Sequence, residues 1–241
     1  MIILYILCGM VGLFLLYALL FWLCGLPVDM KKEYTDHSPF YRWLLQSNSA
    51  LWMRLLHIRV HVTGMEQLPD HKRLLFVGNH VSNYDPILTW IAFKKWNMAF
   101  ISKPSNFKIP FFGPAIRRCC FLAIDRENPR NAIATIGKAA ELIRSGQFSV
   151  GVYPEGTRSK TGQLLPFHNG VFKIAQRSDA DIVVLKVSGT EQIHRHVPFR
   201  RSDVFLEVLA VLPAEQIKHQ KTEQIGETVR HLLEQNQEER T

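Results

Sequence analysis

The apolar positions of this chain are concentrated at its N-terminus. Residues 1–28 contain no charged side chain, and Asp29 is the first charge in the sequence. An apolar helix of roughly 20 residues crosses a bilayer, so this run is long enough. A cleaved signal peptide would begin with basic residues and end in small ones, whereas Phe21-Trp22-Leu23-Cys24 is bulky. We therefore predict a retained single-pass membrane anchor. Lys31 and Lys32 follow the run and no basic residue precedes it, which predicts that the rest of the chain lies on the cytoplasmic face.

Residues 38–58 form a second apolar segment with a different pattern. Their tryptophan and leucine side chains recur at helical spacing, with Arg42 and Arg54 between them, so we predict an amphipathic helix. Two interpretations of this helix remain open. Its apolar face packs on the protein core, or its tryptophans and arginines place it at a membrane interface or back inside the bilayer.

Beyond residue 58 the chain alternates short apolar runs with stretches of helical spacing. The predicted strands are residues 74–78, 98–101, 121–124, 149–153, 181–187 and 204–211. The predicted helices are residues 86–96, 130–145, 169–177 and 215–235. Such alternation is typical of an α/β fold, and we predict a mixed, largely parallel sheet flanked by helices.

The charge and the cysteines narrow the set of partners. A net charge of +8 suits a domain that is held against anionic lipid headgroups. Nucleic acid is the usual alternative for a basic protein, but a membrane anchor argues against it. Of the four cysteines, Cys8 and Cys24 lie in the apolar run, and the adjacent Cys119 and Cys120 lack the spacing of a zinc site. We therefore expect no metal, no nucleic-acid partner and a reducing compartment.

Several common active-site motifs are missing from the sequence. Gly151 and Gly156 have the spacing of a phosphate-binding loop, but Thr157 and Arg158 stand where that loop needs Lys and Ser or Thr. The sequence has neither a Gly-x-Ser-x-Gly nucleophile elbow nor a His-Glu-x-x-His zinc helix. Nucleotide binding and the commonest hydrolase mechanisms therefore lack their residues.

The loop after the first predicted strand carries candidate chemistry. His80 stands at the carboxyl end of the strand, where α/β proteins place reactive groups, and Asp85 follows five residues later. On these residues alone, the commoner arrangement is an ordinary histidine beside a helix that Asp85 caps, with Pro86 at its first position. The two interpretations are compatible. One carboxylate oxygen can cap the helix while the other accepts the ring N–H of His80 and makes the imidazole a better base.

A second group of polar residues follows the predicted strand 149–153. The segment 153–159 has the residues of a turn, but a turn does not require Glu155 and Arg158 together. Gly156 lets a ligand approach the backbone closely, and the planar guanidinium of Arg158 suits a phosphate. Arg126 is a further cation at the end of a predicted strand, although an ion pair with a neighbouring acid would also explain it.

Together these sites resemble the lysophosphatidate acyltransferases (1-acylglycerol-3-phosphate O-acyltransferases) of the glycerolipid acyltransferase group. Asn79-His80 with Asp85 is similar to the family's His-x4-Asp block, residues 121–126 to its second block, and residues 155–159 to its third. Leu165-Pro-Phe167 and Gly170 match the stretch that follows. The resemblance covers roughly residues 60–211 and is specific because the blocks occur in the family's order.

Three positions depart from the family pattern. Cys120 stands where the second block usually opens with glycine, and Val183-Val184-Leu185 stands where the fourth block usually contains proline. His168 stands where a basic residue usually follows the Pro-Phe pair. In the family these positions are associated with acceptor binding and pocket shape, so they bear on the acceptor more than on the reaction.

The resemblance implies a glycerol-3-phosphate acyltransferase-like fold, with residues 1–58 as membrane anchor plus interfacial helix and residues 59–241 as the acyltransferase domain. It implies transfer of a fatty acyl chain from acyl-CoA or acyl carrier protein to the sn-2 hydroxyl of lysophosphatidate in phospholipid biosynthesis. His80 would be the general base, Asp85 would orient it, and Glu155 would orient Arg158. The residues expected to bind substrate are Arg126, Glu155, Gly156, Thr157, Arg158 and Lys103. No cofactor beyond the acyl-carrying co-substrate is implied.

Three other hypotheses remain open at this point. The acceptor is another lysophospholipid or an amino-acid-linked lysolipid, or the reaction is hydrolysis by a thioesterase or lysophospholipase. The third hypothesis is a non-catalytic lipid-binding protein of the membrane. The His80–Asp85 pair argues against the third, because binding alone needs no base.

Overall fold

The computed structural model describes residues 1–125 and 127–238. Within these residues the centre of the molecule is a seven-stranded sheet with the strand order β1-β7-β6-β2-β5-β3-β4. The strands are β1 (Ile58–Thr63), β2 (Leu74–Gly78), β3 (Met98–Ser102), β4 (Leu122–Ala123), β5 (Ser149–Val152), β6 (Asp181–Ser188) and β7 (Ser202–Leu212). Neighbouring strands run parallel except β6 and β7, which are antiparallel. The predicted mixed, largely parallel sheet is confirmed.

The helices cover the sheet and account for the apolar character of its middle strands. They are α1 (Ile2–Gly25), α2 (Pro39–Leu55), α3 (Asp85–Ala92), α4 (Phe112–Arg118), α5 (Pro129–Arg144), α6 (Lys173–Ser178), α7 (Ile193–His196), α8 (Ala214–Ile217) and α9 (Thr222–Glu238). Every residue of β2 and β5 is buried, because helices on both sheet faces leave these strands no solvent side. In β7, by contrast, most positions between Ser202 and Val208 alternate between buried and more exposed.

Several element boundaries differ from the sequence predictions. The predicted helix 86–96 ends as α3 at Ala92 and continues only as the 3-10 turn Lys94–Trp96. The predicted helix 169–177 begins with the 3-10 turn Asn169–Phe172, and the predicted helix 215–235 divides into α8 and α9. β1 and α4 were not predicted. The charged and polar positions of β1, and the glycine and proline inside α4, weaken the local signals on which such a prediction depends.

The two N-terminal helices pack against each other in antiparallel orientation. The Tyr41 hydroxyl of α2 donates to the Cys24 carbonyl of α1 at 2.6 Å, and the Asn48 amide contacts the Tyr17 hydroxyl. The segment Leu4–Gly25, 22 residues long, is long and apolar enough to cross a membrane.

Helix α2 turns two different faces to its surroundings. Arg42 and Leu45 are buried, and the Arg42 guanidinium donates to the Met98 carbonyl at 3.3 Å. The opposite face exposes the large apolar side chains Phe40, Trp43, Leu51, Trp52 and Leu55. The expectation that this helix covers the core is therefore confirmed for one face, while these five large apolar side chains stay exposed.

Candidate active site

The candidate residues come together where three neighbouring strands end. β2 lies between β5 and β6 and runs parallel to both, so their carboxyl ends share one edge of the sheet. The loops that leave these ends are 79–84 after β2, 153–168 after β5 and Gly189–Thr190 after β6. Crevices at the carboxyl ends of parallel strands are the usual ligand sites of open α/β sheets.

The expected contact between His80 and Asp85 is present. His80 Nδ1 lies 2.8 Å from Asp85 Oδ2, and the same oxygen accepts the backbone N–H groups of Val81 and Ser82, each at 2.7 Å. The carboxylate is fully buried, whereas the His80 side chain keeps 18% of its surface exposed. A carboxylate on Nδ1 holds the proton there, so Nε2 is the nitrogen that is left to accept a proton.

The prediction that Asp85 caps the following helix was wrong. α3 begins at Asp85 itself, with Tyr84 in the cap position and no side-chain cap. The second carboxylate oxygen, Oδ1, accepts the hydroxyl of the buried Thr190 at 2.5 Å. A buried carboxylate needs a full set of donors, and here the loop, the imidazole and Thr190 supply them. Sequence reasoning missed Thr190; its one signal is its place just after the buried strand β6.

The His80 ring rests on an aromatic stack. It lies parallel to the Tyr153 ring, with 4.4 Å between the ring centroids, and Tyr153 in turn stacks on Phe100 at 5.9 Å. Burial, with the nearby Asp85 carboxylate, raises the pKa of Tyr153 well above its ordinary value. Tyr153 is therefore a neutral platform that fixes the plane of the imidazole.

Glu155 joins the loop after β5 to the loop 79–84 that carries His80. Its Oε1 accepts the backbone N–H of His80 at 2.7 Å and its Oε2 accepts that of Leu165 at 2.9 Å. Burial raises the pKa of this carboxyl, and the two backbone hydrogen bonds oppose the rise. The expectation that Glu155 orients Arg158 is not met, because among the described residues both of its oxygens serve the backbone. Ser159 N–H adds a second link by donating to the His80 carbonyl at 2.8 Å.

Arg230, a cation on the C-terminal helix α9, contacts the loop after β5 that holds Glu155. The Arg230 guanidinium of α9 donates to the Leu165 carbonyl at 2.5 Å and lies over the Phe167 ring at 4.5 Å. A continuous path of contacts thus runs from Arg230 through Leu165 and Glu155 to the backbone of His80. Nothing in the sequence indicated Arg230, because a lone arginine in a polar helix is usually a solvated side chain.

An apolar cavity of about 830 Å³ opens beside His80. Its volume falls in the range of roughly 300–1,000 Å³ that small-molecule sites occupy. Apolar side chains that line it include Leu45, Trp90, Phe100, Ile116, Phe121 and Ile136. Four of the expected binding residues line the same cavity, namely Lys103, Gly156, Thr157 and Arg158. Arg126 lies outside the described residues.

The three departures from the family pattern differ in their relation to this cavity. Cys120 is buried, has a φ of 64° in the left-handed region that favours glycine, and lines neither of the two cavities that flank the catalytic loop. Burial raises the pKa of Cys119 and Cys120 to about 12. Val184 is likewise buried within β6. Only His168 lines the apolar cavity, so it is the one departure in a position to meet a substrate.

The described residues contain no cluster of three or more His, Cys, Asp or Glu side chains that could hold a metal ion. The polar side chains that line the apolar cavity include the His80 imidazole, the Thr157 hydroxyl and the cations Lys103 and Arg158.

Comparison with known proteins identifies a family to which the chain is similar. A family model described as Acyltransferase matches residues 59–188. The 1-acyl-sn-glycerol-3-phosphate acyltransferase of Borreliella burgdorferi is 30% identical over 141 residues, which are 58% of this chain and 55% of that protein. The Salmonella typhimurium protein of the same description is 28% identical over 184 residues, 75% of this chain and 74% of that protein. This chain thus spans about half the length of the Borreliella relative.

The fold also has a counterpart among solved structures. The crystal structure of the 1-acyl-sn-glycerophosphate (LPA) acyltransferase PlsC from Thermotoga maritima superposes with a TM-score of 0.64 at 23% sequence identity. The match covers 81% of this chain and 79% of that one, which supports the shared fold.

Proposed function

Because this chain belongs to the acyltransferase family, we propose that it transfers a fatty acyl group from an acyl thioester to the sn-2 hydroxyl of lysophosphatidate. The observation that carries the proposal is the position of the His80–Asp85 pair. A histidine whose Nδ1 proton is held by a buried carboxylate stands at the wall of an apolar cavity, where a lipid hydroxyl and a fatty acyl group can meet.

The proposed reaction needs only the groups found beside the cavity. His80 Nε2 takes the proton of the acceptor hydroxyl while the hydroxyl oxygen attacks the thioester carbonyl carbon. The tetrahedral intermediate then collapses, the C–S bond breaks, and the leaving thiolate takes the proton back from the imidazolium. Asp85 stabilises the imidazolium and holds the ring in this orientation. The path involves no acyl-enzyme serine, in agreement with the missing nucleophile elbow.

The rim of the apolar cavity supports a phosphate-bearing acceptor. Arg158 and Lys103 place a planar guanidinium and an ammonium group at the cavity that contains His80. Such cations form charge-assisted hydrogen bonds with phosphate oxygens. Gly156 has a φ of 70°, in the left-handed region that favours glycine. Arg126 remains part of the proposed set.

We propose that α1 and the open face of α2 hold the enzyme at a membrane. An apolar helix long enough to cross a bilayer packs beside a helix that exposes two tryptophans, Trp43 and Trp52. Tryptophan is enriched at membrane interfaces. A catalytic domain on the cytoplasmic face, with acyl-CoA or acyl carrier protein as donor, completes the proposal.

A reconstituted assay tests the reaction and the acceptor together. Purified protein in lipid vesicles is given one labelled acyl thioester and equal amounts of lysophosphatidate and other lysophospholipids. The proposal predicts labelled phosphatidate as the main product, with one free thiol released per acyl chain transferred. Label in free fatty acid alone would show a hydrolase, and label in neither product would contradict any acyl-transfer function.

A different lysolipid acceptor is the second candidate. His168 favours it, because this histidine lines the apolar cavity where the family pattern has a basic residue. The same competition decides between the two acceptors, since the preferred one takes most of the label.

A further inference from the structure

The end of β6 and the residue after its following glycine are joined at two points to the segment that carries His80. The Asn79 side chain accepts the backbone N–H of Val187 at 2.8 Å and donates to the Val187 carbonyl at 2.9 Å. Three residues further on, the Thr190 hydroxyl donates to Asp85 Oδ1 at 2.5 Å. Asn79, Asp85 and Thr190 are all buried, so water does not compete for these hydrogen bonds.

The backbone at Gly189 determines where the Thr190 side chain lies. Gly189 has a φ of 84°, in the left-handed region that favours glycine, and a Cβ atom there would lie 2.4 Å from the Asp203 carbonyl oxygen. The chain turns at this glycine, and Thr190 begins a 3-10 turn with its side chain buried. A buried hydroxyl needs a hydrogen-bond partner, and Asp85 is that partner.

The two oxygens of Asp85 receive donors from different parts of the fold. Oδ2 accepts the His80 imidazole and the backbone N–H groups of Val81 and Ser82, which all belong to the loop 79–84. These three hydrogen bonds hold the carboxylate relative to that loop. Oδ1 accepts the hydroxyl of Thr190, which lies 105 residues away in the sequence. The Thr190 hydrogen bond therefore holds the same carboxylate relative to the end of β6.

We propose that Thr190 is a positioning residue for the acyl-transfer reaction and that it acts on His80 through Asp85. A carboxylate that is held at both oxygens cannot turn away from the imidazole when the ring takes up a proton. The imidazolium is then stabilised in the orientation that the reaction needs. A hydrogen bond to a carboxylate is also stronger than one between neutral groups. The inference rests on the proposed function, because the reaction at His80 is its premise.

The test changes the hydroxyl of Thr190 and keeps the size of the side chain close to that of threonine. Thr190→Val replaces the hydroxyl by a methyl group, Thr190→Ser keeps the hydroxyl, and Thr190→Cys has a weaker donor. Thr135→Val is the matched control. Thr135 is also buried, and its hydroxyl donates to a backbone carbonyl, that of Ala123, at 3.0 Å. Circular dichroism checks the fold of each variant, and kcat and KM are measured in lipid vesicles.

The proposal predicts a loss of kcat that follows the strength of the donor. Thr190→Val should lower kcat about tenfold with KM near the wild-type value, because one charge-assisted hydrogen bond is lost and no group that binds substrate is removed. Thr190→Ser should keep most of kcat, Thr190→Cys should lie between these two variants, and Thr135→Val should behave as wild type. A kcat that does not differ among the three Thr190 variants overturns the proposal.

A double variant shows whether the effect passes through Asp85. In the Asp85→Asn background, Thr190→Val should cause little further loss of kcat, because the carboxylate that Thr190 holds is already gone. A structural role of Thr190 that is independent of Asp85 would give a further loss as large as the one in wild type. That result would overturn the proposal.

A spectroscopic measurement separates this role from the proposed reaction. Proton NMR of the protein with isotope-labelled histidine records the Nδ1 proton of His80 without turnover, and His80→Ala identifies its signal. The signal should move in Thr190→Val and keep its position in Thr190→Ser and Thr135→Val. An unmoved signal in Thr190→Val overturns the proposal. If wild type transfers no acyl group while the signal moves as expected, the proposed function fails and the path from Thr190 through Asp85 to His80 stands.

Discussion

Two histidine–aspartate pairs in this molecule have the same separation and different surroundings. His80 and Asp85 are 2.8 Å apart, and so are His61 and Asp203 on the neighbouring strands β1 and β7. Each imidazole also stacks on an aromatic ring, Tyr153 for His80 and Phe205 for His61. Distance and stacking therefore do not distinguish the pair that we propose to be catalytic from a surface pair.

Burial and position distinguish them. The Asp85 side chain is fully buried, whereas that of Asp203 keeps 35% of its surface exposed and also pairs with Arg201. His80 lines the apolar cavity, and its loop is tied to the loop after β5 through Glu155. A buried carboxylate orients an imidazole strongly, because water does not compete for it. The exposed pair is screened by solvent and contributes little to either stability or chemistry.

The largest expected effect is a loss of kcat when Asp85 is neutralised, and the same change at Asp203 is the comparison. Asp85→Asn should lower kcat by about 10³-fold, because the imidazole loses the carboxylate that fixes its tautomer and stabilises its charge. Asp203→Asn should leave kcat unchanged within about twofold, as expected for an exposed pair. Steady-state kinetics and circular dichroism on both variants check this. An equal loss in the two variants would remove the distinction between the pairs.

A smaller effect is expected at Glu155, where the loop after β5 meets the backbone of His80. Glu155→Gln keeps one acceptor oxygen and turns an amide N–H₂ toward a backbone N–H. It should therefore lower kcat by about 10- to 100-fold, the loss expected for one charge-assisted hydrogen bond. Glu141→Gln, an exposed acid on α5 outside the apolar cavity, is the control. A change in KM alone would show that Glu155 acts on substrate binding and not on the position of His80.

A smaller effect still is expected at Arg230, from which a path of contacts runs through Leu165 and Glu155 to the backbone of His80. Arg230→Met keeps much of the packing on Phe167 but removes the donor to the Leu165 carbonyl, so kcat should fall about three- to tenfold. Arg230→Lys should restore part of the loss because it returns a cationic donor. Combined with Glu155→Gln, the Arg230→Met loss should be less than additive, since both act on one path. Full additivity of the two losses in kcat would show that Arg230 and Glu155 do not act through one path of contacts.

The smallest effect concerns the exposed pair His61–Asp203, and we expect it in the melting temperature and not in kcat. Hydrogen bonds from Arg201, then from His61, lower the pKa of Asp203 to about 2. An aspartate in the unfolded chain titrates near about 3.9. The ion pair therefore stabilises the fold above about pH 4, and this contribution is lost as the pH falls toward 2. The melting temperatures of wild type and Asp203→Asn should converge over that interval. A constant difference from pH 5 to pH 2 would contradict the lowered pKa.

The comparison also explains what the sequence predicts well. His80 and Asp85 are five residues apart, so the reach of one loop is enough to infer their contact. The sheet class follows from alternating apolar runs, which are local patterns as well. His61 and Asp203 are 142 residues apart, and no local pattern brings them together.

The contacts that Thr190 and Arg230 make were not predictable either, because each joins residues that are far apart in the sequence. Thr190 reaches Asp85 across 105 residues, and Arg230 reaches Leu165 across 65. Such contacts depend on how the segment after β6 packs against the loop 79–84 and how α9 packs against the loop after β5, which only the three-dimensional arrangement determines. The error over the cap at Asp85 has a related cause. Local sequence favours a cap there, but the carboxylate instead accepts from the preceding loop, through the Val81 and Ser82 N–H groups, and from the distant Thr190.

The most direct test of the account replaces the two histidines. His80→Ala and His61→Ala are assayed in lipid vesicles with the same labelled acyl thioester and lysophosphatidate. The account predicts that His80→Ala loses about 10²- to 10⁴-fold in kcat while it stays folded and membrane-bound, and that His61→Ala keeps wild-type turnover. Near-normal turnover by His80→Ala would contradict the assignment of His80 as the base.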